Sequence, residues 1–155
     1  MARAPIQALV IPYRKTAHQG YEFATLLRAN TSVWQFISGG AEDSETPEQA
    51  ARREAFEEAA IPPERPFLRL DSIASVPRRA FPSATHWPRS LLVVPEYAFA
   101  VELSGIEIRL SAEHSALRWL SSEGADAILT FDSNRVALWE LNERLTCDSL
   151  LALAA

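Results

Sequence analysis

The sequence predicts an α+β fold, a mixed β-sheet packed with two or three helices. Three observations carry that prediction. β-prone apolar segments outnumber helical ones, a single strongly signalled helix interrupts them near residues 46–60, and strands and helices do not alternate in the strict order of a parallel α/β sheet. The 155 residues suit a single domain, 1–155, and a composition of 48% hydrophobic and 23% charged residues is an ordinary globular balance with enough apolar chain for a core.

The elements follow in order. "IQALVIPY" and "YEFATLLRA" are apolar, β-prone segments separated by "RKTAHQG", where Gly20 can turn the chain into a hairpin. "SVWQFIS", Ser32 to Ser38, reads as a third strand with Trp34 and Phe36 on one face and Val33, Gln35 and Ile37 on the other; the Gly39-Gly40 pair is expected to end it. A helix then starts with Thr46 as N-cap, Pro47 at the first helical position and Gln49 completing a capping box. It is expected to run to about Ala60, where "PPERP" stops it. "FLRLDSIASV" reads as a strand, "PRRAFPSATHWPRS" as a polar loop, and "LLVVPEYAFAVEL" as the longest strand, irregular at Pro95. "IEIRL" and "SALRWLS" are short strands and "SSEGADAIL" a short helix. "DSNRVALWELNERL" closes as an amphipathic helix with Leu138, Leu141 and Leu145 at helical spacing, and Trp119 and Trp139 read as core.

Composition excludes some functions. A net charge of −5 disfavours broad, non-specific binding to nucleic acid, although a phosphate substrate remains open if a divalent cation mediates. No apolar run approaches the ~20 residues that cross a bilayer, and "MARAPIQALVIPYRK" reads as a strand rather than a signal peptide. Cys147 is the one cysteine, which suits a reducing, cytoplasmic setting.

The chemistry concentrates in "SGGAEDSETPEQAARREAFEEAAI", Ser38 to Ile61. On a helix, Glu54, Glu57 and Glu58 fall within about 100° of arc. Like charges so placed repel by a few tenths of a kcal/mol per pair, so stability alone would have interspersed Lys or Arg. Converging hard oxygen ligands suit Mg²⁺ or Mn²⁺ completed by phosphate oxygens. The competing reading is a solvated helix face with Arg/Glu pairs one turn apart.

The flanking residues decide between the two. Gly39, Glu45, Arg53, Glu54, Glu57 and Glu58 match, at the right spacing, the pattern Gly, five residues, Glu, seven residues, Arg-Glu-aliphatic-x-Glu-Glu-x-Gly-aliphatic. The stretch resembles the Nudix box, the signature of hydrolases that cleave a nucleoside diphosphate linked to another moiety. Two positions depart from it: Ala55 stands for a larger aliphatic, and Ala60 for the glycine at the helix end, where a positive φ would cost alanine about 1 kcal/mol.

The resemblance implies an α/β/α sandwich whose box glutamates bind divalent cations, Mg²⁺ or Mn²⁺, bridging to a diphosphate. Carried over, Glu57 and Glu58 are metal ligands, Glu54 a further ligand or the base that activates water, and the Gly39 carbonyl a potential ligand. Arg53 and Glu45 hold the loop against the helix, with Arg53, Glu54 and Glu57 the catalytic set. An extra carboxylate from outside the box is expected, with Glu113 ahead of Glu96 and Glu102; His114 beside it reads as structural or solvent-facing. "VWQFISGG" and "EHSALRWL…DSNRVALWELNERL" extend the resemblance toward the Nudix subgroup of dihydroneopterin-triphosphate pyrophosphatase and dATP pyrophosphohydrolase.

On the substrate side, Arg28 reads as a phosphate clamp or a surface arginine, and Trp34 as a stacking platform or a core residue. The loop from Pro77 to Ser90 offers Arg78, Arg79, His86, Trp87 and Arg89, of which Arg79, His86 and Trp87 are the substrate-binding candidates. The expected activity is Mg²⁺-dependent cleavage of a (deoxy)nucleoside or pterin triphosphate to a monophosphate and pyrophosphate. That protein would be cytoplasmic, a monomer or homodimer, with no stable nucleic acid or membrane partner. RNA 5′-end pyrophosphate removal and a non-hydrolytic binding module are the alternatives.

Overall fold

A computed structural model describes residues 2–147; the outer residues of the expected 1–155 domain lie outside that range. The strands are β1 (Arg3–Lys15), β2 (Tyr21–Arg28), β3 (Trp34–Gln35), β4 (Ile37–Glu42), β5 (Phe67–Pro77), β6 (Val93–Glu102) and β7 (His114–Leu120). The helices are α1 (Pro47–Ala59), α2 (Ser122–Ile128) and α3 (Asp132–Thr146), with one 3₁₀ turn at Arg78–Ala80. All seven strands form one mixed sheet, in which β1 is the long central strand. It pairs antiparallel with β4 along its first part and with β2 at its end, while β6 runs parallel to it from Gln7 to Tyr13.

Helices cover both faces, giving the expected α/β/α sandwich. On one face α1 presents Ala50, Ala51, Ala55 and Ala59, all fully buried, to Val10, Ile37 and Phe99. Small side chains let the helix lie close to the sheet, which is why Ala55 serves where a bulkier aliphatic was expected. On the other face α2 and α3 place Ala125, Leu138 and Leu141 over Leu9, Ile11 and Phe36. The capping box is present, with Thr46 accepting from the Gln49 N–H and the Gln49 side chain accepting from the Thr46 N–H.

Several expectations are corrected. Residues 32–38 do not form one strand: the Phe36 N–H donates to the buried Asn134 side chain on α3, at 2.8 Å, and the Trp34 N–H to the Thr130 hydroxyl, which breaks the run into β3 and β4. The glycine pair does not end β4, because Gly39 and Gly40 pair with Ala8 and Gln7. "IEIRL" forms no strand. Its backbone and that of the next residue instead serve the end of α1, Arg109 N–H donating to the Ala59 carbonyl and Ser111 N–H to that of Glu58. Pro95 keeps register opposite Ser75, and the irregularity lies between Arg69 and Ile73. Trp139 is 67% exposed rather than core.

Candidate active site

The acidic site is built where β4, α1 and the approach to β7 meet. Residues 109–111, tied to the end of α1, carry the chain to Glu113, whose carbonyl accepts from the Ala29 N–H at the end of β2. Glu113 and the β7 residue His114 thus arrive beside Glu58. Carboxylate and imidazole atoms of Glu58, Glu113 and His114 lie within 4.8 Å of one another. Glu58 is 4% exposed and accepts from the Ser38 N–H at 3.3 Å; His114 is also buried, and neither of its ring nitrogens has a partner. His114 is therefore not solvent-facing.

Glu54 adds a third carboxylate. A Cβ built on Gly39 would stand 2.0 Å from the Glu54 carboxyl carbon, so the glycine makes room for that side chain. Burial, then the hydrogen bond with Glu113 and the charges of Glu54 and Glu113, push Glu58 up to about 10. Burial also raises Glu54, against the hydrogen bond from Arg53 that pulls it down, and lowers His114. Three acids this close cannot all ionise without a countercharge. That deficit, with the unpartnered imidazole and the carboxylates beside it, fits a divalent cation.

Arg53 joins the loop before α1 to the helix. It clamps Glu45 with two bonds of 2.9 Å and donates to the Gly40 carbonyl at 2.8 Å, to Glu54 at 2.9 Å and to Glu57 at 3.2 Å. The paired guanidinium lowers Glu45, and its acidic partners raise Arg53. Glu57 points outward: its side chain is 55% exposed and pairs with Arg53.

A cavity of about 950 Å³ opens beside this cluster. Arg28, Gly39, Glu54, Glu58 and Glu113 line it. Trp34, Arg79, His86 and Trp87 are not among the described residues that do so. Trp34 stacks with the Arg118 guanidinium at 4.9 Å. His86 and Trp87 bond the Arg3 carbonyl at 2.9 and 2.8 Å, and Trp87 packs with Phe81, Ala84 and Val94, so these two dock the loop onto β1. Arg78 holds the loop's own carbonyls, those of Leu91 and Trp87 among them. Sequence reasoning missed Arg3 and Gln7, which also line the cavity, and ranked Glu96 low; their only signal was a polar residue on an otherwise apolar strand face.

The NUDIX domain family model matches residues 8–139. The chain belongs to the Nudix family. A Nudix hydrolase of Listeria monocytogenes is 44% identical, with a TM-score of 0.85 over 94% of this chain and 97% of that one. The dihydroneopterin triphosphate pyrophosphohydrolase of E. coli is 25% identical, with a TM-score of 0.72 over 92% and 99%. An Ap4A hydrolase of C. elegans, 23% identical with a TM-score of 0.71 over 91% and 97%, shares the fold. The chain also matches an octanoyltransferase of Myxococcus xanthus at 36% identity over 103 residues, 66% of this chain but 26% of that protein, so it spans about a quarter of that relative. Nudix hydrolases as a family act on pyrophosphate bonds and generally use divalent metals.

Proposed function

We propose that the protein is an Mg²⁺-dependent pyrophosphohydrolase that cleaves a (deoxy)nucleoside or pterin triphosphate to a monophosphate and pyrophosphate. The observation that carries this is the convergence of Glu54, Glu58 and Glu113 on the wall of one cavity large enough for a nucleotide. Glu58, Glu113 and Glu54, with the Gly39 carbonyl, would hold the cation, and Glu57 would reach it from its exposed position. Bound there, Mg²⁺ would offset phosphate charge and polarise the phosphorus. Mn²⁺ would also suit the set, since the His114 imidazole adds a nitrogen donor.

The chain's own residues supply the rest. Arg28 stands in the same wall, opposite His114 in the β2–β7 pairing, where it can bind phosphate oxygens that face the acids. Glu54, half-buried and raised, is suited to take a proton from the attacking water, and Arg53 orients it. Glu45 fixes Arg53 and so holds the loop against the helix. Among the described residues no helix is long and apolar enough to cross a membrane; a cytoplasmic monomer or homodimer acting on a diffusible substrate goes with this reading. Pyrophosphate release with Mg²⁺, measured over a panel headed by dihydroneopterin triphosphate and dATP, tests it: turnover of one or more is expected, and binding without any turnover would leave a non-hydrolytic module instead.

A further inference from the structure

The acids occupy one wall of the cavity, but a second polar group lies on the opposite face of the sheet. Gly40, Gln7 and Glu96 stand in register across β4, β1 and β6. Leu9, two residues further along β1, packs under α3, so this row lies on the α3 face. Arg3 fills the space above Gly40, where an added Cβ would meet its Nε at 2.3 Å. Its guanidinium stacks on Phe81 at 4.9 Å and donates to the Gln7 side-chain oxygen at 3.1 Å, while the Gln7 amide donates to the Ser38 hydroxyl at 2.7 Å. Gln7 is thus spoken for on both sides and cannot turn to satisfy its neighbours.

Those neighbours are left short. Glu96 is 6% exposed and lines the cavity; the Ser133 side chain bonds its carboxyl, but its Oε1 has no partner, and Arg3 also lines the cavity with its Nε unpartnered. Buried groups of this kind cost free energy unless something completes them. A carboxylate takes two N–H donors; a guanidinium takes an oxygen or ring-nitrogen acceptor. One ring edge offers both: an amino group and a ring N–H side by side, next to an oxo group. Guanine and pterins share it. Adenine does not, since it presents an amino donor where the oxo acceptor should stand.

We propose that Glu96 and Arg3 form the ring-reading end of the cavity and select a triphosphate whose ring carries this amino, N–H and oxo edge. The inference rests on the pyrophosphohydrolase reading and narrows its substrate. Glu96 accepts the amino and ring N–H donors, Arg3 donates to the oxo group, and Phe81, beneath Arg3, keeps the guanidinium in place. Burial holds the free Glu96 carboxyl above its ordinary range, and the two ring donors favour its charged form on binding.

Binding of product monophosphates, which needs no turnover, tests the ring site separately from the chemistry. Equilibrium titration of the full chain with GMP, dihydroneopterin monophosphate and AMP is paired with kcat and KM for GTP, dihydroneopterin triphosphate and ATP in Mg²⁺. The wild type is expected to favour one or both of the first two by about tenfold or more over the adenine compound, and the comparison between them tells guanine from pterin. Glu96→Gln, whose amide offers one donor and one acceptor, should erase that preference, with the change falling on KM more than on kcat. Arg3→Gln should do the same, and melting curves establish that each variant folds. Equal or tighter AMP binding by wild type, or a preference that survives in a folded Glu96→Gln protein, would overturn the proposal. Ring preference in binding without turnover of any triphosphate would sink the pyrophosphohydrolase reading and leave the ring site standing.

Discussion

Gly39 has no side chain because Glu54 occupies the place one would take, and this makes the pair a sharp probe of the site. In Gly39→Ala the new Cβ forces the Glu54 carboxyl aside. The displaced atoms are the far end of a flexible side chain, so the loss of stability should stay within about 1–2 kcal/mol. Misplacing a group by about 1 Å can cost about a hundredfold in rate, and kcat should fall by that order with the melting temperature nearly held; unchanged kcat would remove Glu54 from the chemistry. Glu57 and Glu58 differ at the same scale. They are adjacent in sequence, yet Glu58 is buried against Ser38 and Glu113 while Glu57 is exposed and bonded to Arg53.

The box helix tests the fold at the scale of an element. Ala60 caps α1 with φ 57° and ψ 32°, its N–H bonded to the carbonyls of Ala55 and Phe56, so the positive φ anticipated from the glycine-to-alanine departure is present. Ala60→Gly relieves a left-handed alanine and should raise stability by about 0.5–1 kcal/mol in denaturant titration, without altering kcat; destabilisation would mean that alanine is not strained there. Such local features were legible in the sequence because capping, turns and helical spacing involve neighbours along the chain. The Thr46–Gln49 box, the boundaries of α1 and the core face of α3 belong to this class. What was not legible depends on distant partners. Asn134 splits β3 from β4 from 98 residues away, and the carbonyls at the end of α1 draw 106–111 out of the sheet. His114, Glu96 and Arg3 enter the cavity only through strand register, which no local pattern encodes, and the loop that looked like a substrate clamp uses His86 and Trp87 to hold itself to β1.

For the whole molecule, the acidic cluster links stability, pH and metal. Glu58, raised to about 10, keeps a proton in the folded chain that an unfolded glutamic acid has already lost near pH 4.3. Its stabilisation is complete below the unfolded value and is lost as pH rises toward the folded one. His114, lowered by burial, acts in the opposite sense but only below about 6.5, so from about pH 7 to 9 the raised carboxyls set the trend, Glu58 foremost among them. Across it the metal-free protein should lose up to about 1.4 kcal/mol of stability per pH unit, with Glu58→Gln flattening the slope. Excess Mg²⁺ should reverse the trend, since a cation displaces the proton and binds better as pH rises; a metal-free stability curve flat from pH 7 to 9 would deny the buried proton. Sequence, fold and cluster meet in one claim, that these acids hold a cation for pyrophosphate cleavage. The most direct test is pyrophosphate release from the triphosphate panel, with and without Mg²⁺, for wild type and Glu58→Gln. Mg²⁺-dependent release by wild type, reduced at least about a hundredfold in a folded Glu58→Gln protein, is the predicted result. Release that is undiminished by chelation or by Glu58→Gln would contradict it.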